Sequence, residues 1–292
     1  MRATVSRTLT LVILLSLFGT PRGSVFVYAA PVTVAPIEYP ISDSYAKAFV
    51  LRTTGRADVV AAMVKRVPTP AVKETGPRFW TDLDRAIWGG YLSSQQGAFL
   101  HRVYGTYTDF YAQPAGGCCP TAGSWTGVGG FGNCGLAQAG VNSGSLMAFY
   151  EMLYPNPSGG CQGGSTPLFA VNGGDHMWSY ITLDSGNGLW YFEVDDFNTG
   201  SYWSSEFSYH PDLTSAEWIT ELYGTSVPPG MPYVHFWGAR WIDENFNGHT
   251  IVDGSYALYR ITLRDPSGGC VVPSGLYGAN DTFDNYPQPG SC

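Results

Sequence analysis

The chain has 292 residues, of which 44% are hydrophobic, 15% aromatic and only 13% charged, with a formal net charge of −8. From Phe79 onward five arginines and no lysine stand against nineteen acidic residues, a balance that repels phosphate backbones and excludes nucleic acid as a partner. It favours an acidic setting, where protonation relieves the self-repulsion of the domain.

Residues 1–29 have the layout of a secretory signal peptide: Arg2 and Arg7, an apolar run from Leu9 to Phe18, and small residues up to Ala29. The apolar run is too short for a span, and no later stretch approaches ~20 apolar residues. A secreted, extracellular protein with no membrane partner is expected, working as a monomer. Residues 30–78 hold all three lysines and four arginines, with Phe49, Val50, Val59, Val60, Met63 and Val64 at helix-compatible intervals. They read as a propeptide or as an N-terminal helical extension.

From Phe79 the composition turns to Gly, Tyr, Trp, Ser and Thr in short runs broken by turn residues. Strands are predicted at Ala86–Leu92, Phe99–Thr108, Gly135–Val141, Met147–Leu153, His176–Leu183, Leu189–Asp195, Ser201–Phe207, Glu217–Glu221, Val234–Ile242, Thr250–Asp253 and Tyr256–Leu263. Many short strands without a long helix predict an all-β sandwich or barrel over residues 79–265. Residues 266–292 read as a Gly/Pro-rich loop stapled by cysteine. In an exported chain the six cysteines are expected in disulfides. Adjacent Cys118 and Cys119 would each reach elsewhere, with Cys134 and Cys161 as nearby candidates, and Cys270 could pair with Cys292; spacing leaves the connectivity open.

Common hydrolase signatures are absent: no G-x-S-x-G, no H-E-x-x-H. Gly127–Gly132 fits G-x-G-x-x-G, but no βαβ unit surrounds it, and it reads as a flexible loop. Asp243–Gly248 copies half of an EF-hand calcium loop, but Gly254 stands where the bidentate Glu belongs, so a hairpin turn is the simpler reading. The five histidines lack ligand spacing, and neither metal nor organic cofactor is expected. In Ala216–Glu221 the two-residue period sets Glu217, Ile219 and Glu221 on one face and Trp218 on the other. Gln138 lies between Ala137 and Ala139. A Gln or Glu in an apolar strand is costly unless paired or facing a wet cleft.

The fragments Ile87–Tyr91, Val103–Thr108, Ser124–Gly127, Leu136–Val141, Phe149–Glu151, Gly174–Asp175, Asn198–Gly200 and Ala216–Glu221 follow the order of motifs in the eqolisin family of glutamic peptidases, which this chain resembles over about residues 80 to 245. The resemblance implies a sandwich of two packed, curved antiparallel sheets of the concanavalin type, polypeptide substrates, and a catalytic pair at Gln138 and Glu217. It also implies Glu151 as a polar neighbour of the pair and Trp125 lining the substrate groove. Two positions depart from the pattern. Val128-Gly129-Gly130 lacks an expected acidic residue, and Met152-Leu153-Tyr154 adds one residue before Pro155, which bears on subsite shape and pH optimum.

The pair suits acid hydrolysis. A carboxylate at Glu217 can take a proton from water, and an amide at Gln138 stays a hydrogen-bond donor in strong acid. The alternative is a glycoside hydrolase or a carbohydrate-binding sandwich, with Glu193, Glu206, Glu217 and Glu221 as candidate carboxylates and Gln138 dispensable.

Overall fold

Runs of β-branched, aromatic and small residues alternate between two faces and are cut by glycine and asparagine turns, and they form sixteen strands among the described residues. The computed structural model describes residues 80–85, 87–94, 102–113, 122–131, 134–224, 226–231, 233–252 and 257–289. The expected signal peptide, the basic segment at residues 30–78, Cys118, Cys119 and Cys292 lie outside them. The strands are β1 (Trp80–Arg85), β2 (Trp88–Ser94), β3 (Val103–Tyr111), β4 (Ala122–Gly129), β5 (Leu136–Asn142), β6 (Met147–Pro155), β7 (Cys161–Ala170) and β8 (His176–Leu183). They continue with β9 (Trp190–Asp196), β10 (Ser201–Phe207), β11 (Ser215–Leu222), β12 (Val234–Asp243), β13 (Gly248–Thr250), β14 (Ala257–Arg264), β15 (Cys270–Pro273) and β16 (Phe283–Gln288).

Hydrogen bonds connect them in the order β10-β9-β8-β3-β12-β16-β15-β14-β2-β11-β4-β5-β6-β7, with β1 and β13 on side branches. This path doubles back, so that β3 faces β4 and β11 while β8 and β9 face β5. Two antiparallel layers result, with Trp190, Phe192, Trp218, Phe236 and Trp241 buried in the core between them. The expected sandwich is present. Among the described residues one pair departs from antiparallel order: β1 runs parallel to β14.

Several elements differ from expectation. Gly127–Gly132, read as a flexible loop, is strand as far as Gly129: β4 is buried along its length between β11 and β5. The tail after Leu263, read as loop, supplies β15 and β16, which carry the sheet path between the layers. Strands β1 and β7 were also not expected. β7 is an exposed edge, where Gly163, Gly164 and Pro167 are tolerated because one side needs no ladder. Cys134 and Cys161 bond to each other rather than to Cys118 or Cys119. The bridge ties the approach to β5 onto edge strand β7 across 27 residues, a closure that contributes about 3.5 kcal/mol on the chain-entropy account. The Asp243–Gly248 segment is a turn: Asp243 Oδ1 accepts the N–H groups of Asn245 and Asn247 at 2.8 Å, and Oδ2 accepts Asn247 Nδ2 at 2.9 Å.

The outward face of β3, β8 and β9 carries a second set of acids. Tyr191 donates to Glu193 at 2.5 Å, and both oxygens of buried Asp195 lack a hydrogen-bond partner. Burial pushes Glu193 up to about 7 and holds Asp195 and Asp109 well above the usual carboxylate range, with Glu193 adding to the rise at Asp195. Burial also pushes His176 down to about 3, and its Nε2 lies 2.7 Å from Asp109 Oδ1. A carboxyl raised on folding leaves stability intact below its ordinary pKa and lowers it as pH climbs toward the folded value. Asp195→Asn should therefore melt higher than wild type near pH 7 and together with it near pH 3. Equal melting temperatures near neutral pH would contradict this account of Asp195.

Candidate active site

Strand register places one row of side chains across the face of the β2-β11-β4-β5-β6 layer that points away from the core. Leu92 stands opposite Glu217, Glu217 opposite Gly127, Gly127 opposite Gln138, and Gln138 opposite Glu151. Glu217 and Gln138 are thus two strand spacings apart, roughly 10 Å between backbones, with a glycine between them. A Cβ on Gly127 would lie 3.1 Å from Glu217 Oε2 and 2.9 Å from Trp125 Cζ3. The missing side chain lets the Trp125 ring and Glu217 Oε2 come close to the strand here, and it puts no side chain of β4 between the two polar groups.

Each member of the row is fixed on one side and open on the other. Ser215 donates its hydroxyl to Glu217 Oε1 at 2.7 Å, and Thr126 donates to the Glu217 carbonyl at 2.9 Å. Glu217 Oε2 is buried without a hydrogen-bond partner. Gln138 Nε2 donates to Glu151 Oε2, and Gln138 Oε1 is buried without a partner. The amide nitrogen has two hydrogens, and Glu151 takes one of them.

The surroundings are apolar. Leu92, Trp125, Leu136, Phe149, Ile219 and Ile261 form a small cluster on this face. Burial pushes the Glu217 carboxyl up to about 8, opposed by the Ser215 hydrogen bond and assisted by the negative charge of Asp212. Glu151 is also raised, by burial, against the pull of Gln138. Two rows further along the same face, beyond Ile219 and Trp125, Glu221 accepts the indole N–H of Trp125 at 2.8 Å and that of Trp88 at 3.2 Å. A carboxyl able to shuttle a proton, an amide donor opposite it and a space between suit addition of water to a carbonyl.

A model of the Peptidase A4 family matches residues 86–255, more than half of the chain. The chain belongs to the Peptidase A4 family. It is a peptidase, a hydrolase of peptide bonds in polypeptide substrates. Two structures of scytalido-glutamic peptidase, one with a peptide-based transition state analog and one with a transition state analog inhibitor, share its fold. They are 18% and 16% identical to it, with TM-scores of 0.51 and 0.50, and each comparison covers 69% of this chain and 98% of that chain. SCP-B, a member of the Eqolisin family in complex with a tripeptide, gives 15% identity and a TM-score of 0.48. No curated protein matches the chain by sequence.

Within this peptidase, Gln138, Glu217 and Glu151 fall together in one row. Trp125, expected along a substrate groove, is fully buried in the apolar cluster beside the pair, so it forms the wall of the site and is not exposed for contact. Trp218 points into the core, as the alternation required. The four carboxylates of the glycosidase alternative are dispersed: Glu193 and Glu206 lie on β9 and β10 in the other layer. Glu217 and Glu221 share one strand at four residues' separation, ~13 Å along an extended chain, and Glu221 is taken up by two indoles.

Sequence reasoning missed Gly127, Ser215 and the role of Glu221. Ser215 was within reach, because extending the Glu217–Ile219–Glu221 alternation back by two residues lands on it. Removing its hydroxyl removes a contact that lowers the Glu217 pKa. Ser215→Ala should therefore shift the Glu217 carboxyl titration, followed by carbon NMR of labelled glutamate, to higher pH. An unchanged or lower midpoint would contradict the assignment.

Proposed function

We propose that this peptidase is an exported endopeptidase of acidic surroundings in which Glu217 activates water and Gln138 stabilises the oxyanion. The observation that carries the reading is the cross-strand row in which Gly127 alone separates Glu217 Oε2 from the Gln138 side chain. A substrate carbonyl and a water fit the chemistry of that space. Glu217 takes one proton of the water as its oxygen bonds to the carbonyl carbon, and the second N–H of Gln138 receives the oxyanion. Glu217 then passes the proton to the peptide nitrogen as the C–N bond breaks. Glu151, holding the other N–H, keeps the amide turned toward the gap.

The electrostatics bear on the pH range. A base works when ionised, and buried as it is here Glu217 keeps its proton up to about 8. Burial is the main cause, so water that enters with the substrate lowers the value and favours the carboxylate. The amide of Gln138 does not titrate, and the excess of nineteen acids over five arginines from Phe79 onward also favours acid. Residues 1–29 as an export signal and residues 30–78 as a propeptide complete the proposal.

The test is cleavage of a denatured protein substrate from about pH 2 to 7 by wild type, Glu217→Gln and Gln138→Ala. Acid proteolysis should vanish in the first variant and lose about 3 kcal/mol of transition-state stabilisation in the second, on the order of a hundredfold in kcat. Full activity in either variant removes that residue from the mechanism, and proteolysis confined to neutral pH overturns the acid assignment.

A further inference from the structure

We infer that Glu221 is a positioning residue of this site, acting through Trp125 on the gap between Glu217 and Gln138. The inference rests on the peptidase reading above and extends it to a third carboxyl.

Two indoles converge on Glu221. Trp88 Nε1 donates to Oε1 at 3.2 Å and Trp125 Nε1 to Oε2 at 2.8 Å, and the two rings meet edge to face at 5.3 Å between centroids. An indole N–H only donates, so a side chain that serves both needs an acceptor at each of its two tips. A carboxyl provides that. A glutamine offers one oxygen and one NH2, and the NH2 would confront an indole N–H. Burial pushes the carboxyl up to about 7 against the pull of both indoles, so in acid it adds no charge to the site.

Trp125 connects this clamp to the reacting pair. Its six-membered ring borders Gly127, as the 2.9 Å approach of a built Cβ to Cζ3 shows. On the other flank a Cβ at Gly140 would lie 2.6 Å from Trp125 Cα, so only glycine lets the Trp125 backbone sit this close to β5. The ring is thus held by Gly140 at its base, Trp88 at its edge and Glu221 at its nitrogen. On the side of Gly127 its neighbour is the reacting group itself: Trp125 Cζ3 and Glu217 Oε2 both lie within 3.1 Å of the place a Gly127 Cβ would take. If Glu221 lets go, rotation of the ring changes the width of the space that substrate and water would share, while the polar groups of Glu217 and Gln138 stay as they are. Such a change alters the rate of the bound complex more than its formation.

The experiment is a double-mutant cycle on the full chain, reading kcat and KM for a denatured protein substrate in acid, with melting temperatures alongside. Glu221→Gln should lower kcat about tenfold with KM within about twofold of wild type. In the Trp125→Phe background, where the wall is already lost, Glu221→Gln should change kcat no further. Glu221→Asp, which withdraws the carboxyl by one methylene, takes its place in the same cycle if Glu221→Gln does not fold. A fall in melting temperature with kcat undiminished, or losses that multiply across the cycle, would overturn the inference. Wild type and Glu217→Gln run in parallel separate the two claims. An inactive wild type overturns the peptidase reading and this inference with it. An active wild type, a silent Glu217→Gln and an undiminished Glu221 variant overturn the inference alone.

Discussion

A carboxyl group buried with no cation beside it keeps its proton, and a sheet face tolerates such a group only where hydrogen bonds hold it and a neighbour leaves it space. Glu217 sits under this constraint: one oxygen is held by Ser215, the other is left over a glycine, and among the described residues no arginine or lysine pairs with it. An ion pair here would lock the carboxylate in the ionised state and remove it from proton transfer. The arrangement keeps the group titratable at the cost of stability in the folded chain. Gln138 follows the same logic, since its amide is anchored at one N–H by Glu151 and carries no charge to be desolvated.

The remaining architecture serves to hold that row. Five strands contribute to it, β2, β11, β4, β5 and β6, and their antiparallel register puts residues from distant parts of the chain opposite one another. Behind the row the Trp218, Trp190 and Trp241 core fixes the layer against its partner, so the face that carries the row rests on a close-packed floor. Small residues recur in β4 and β5 for a physical reason. Gly127 and Gly140 make room, respectively, for the reacting groups and for the Trp125 backbone. Titratable groups with raised pKa values occur on both layers, at Glu217 and Glu221 on one and at Glu193, Asp195 and Asp109 on the other. Burial of carboxyls without a paired cation thus recurs on both layers, whereas buried Asp281 is paired with Arg240 at 2.6 Å.

What was legible in the sequence was mostly local. The alternation in β11 placed Glu217, Ile219 and Glu221 on one face and Trp218 on the other because strand period acts within a few residues. Resemblance in short motifs then identified Gln138 and Glu151 as the partners of Glu217, and the structure brings all three into one row. Non-local features were hidden. β4 carries three glycines and no strong strand former apart from Trp125, Thr126 and Val128, so its strand state comes from pairing on both sides. β15 pairs with β14 just before it and with β16 after it, but β16 also pairs with β12, far back in the chain, which no window of sequence reveals. Burial, which sets the Glu217 pKa, is tertiary in origin, so the rise to about 8 could not be read from neighbouring residues.

The central claim is that the space over Gly127 is where the chemistry takes place, and Gly127→Ala tests it most directly. A methyl there would stand 2.9 Å from Trp125 Cζ3 and 3.1 Å from Glu217 Oε2, so it takes the gap and presses on both side chains. The measurement is kcat for peptide-bond cleavage, made on a variant whose circular dichroism and melting temperature match wild type. The account predicts a loss of about a hundredfold or more, because the chemical identity of every polar group is kept and the space they share is taken away. A folded Gly127→Ala chain that cleaves at the wild-type rate would contradict it and move the site elsewhere on the sheet.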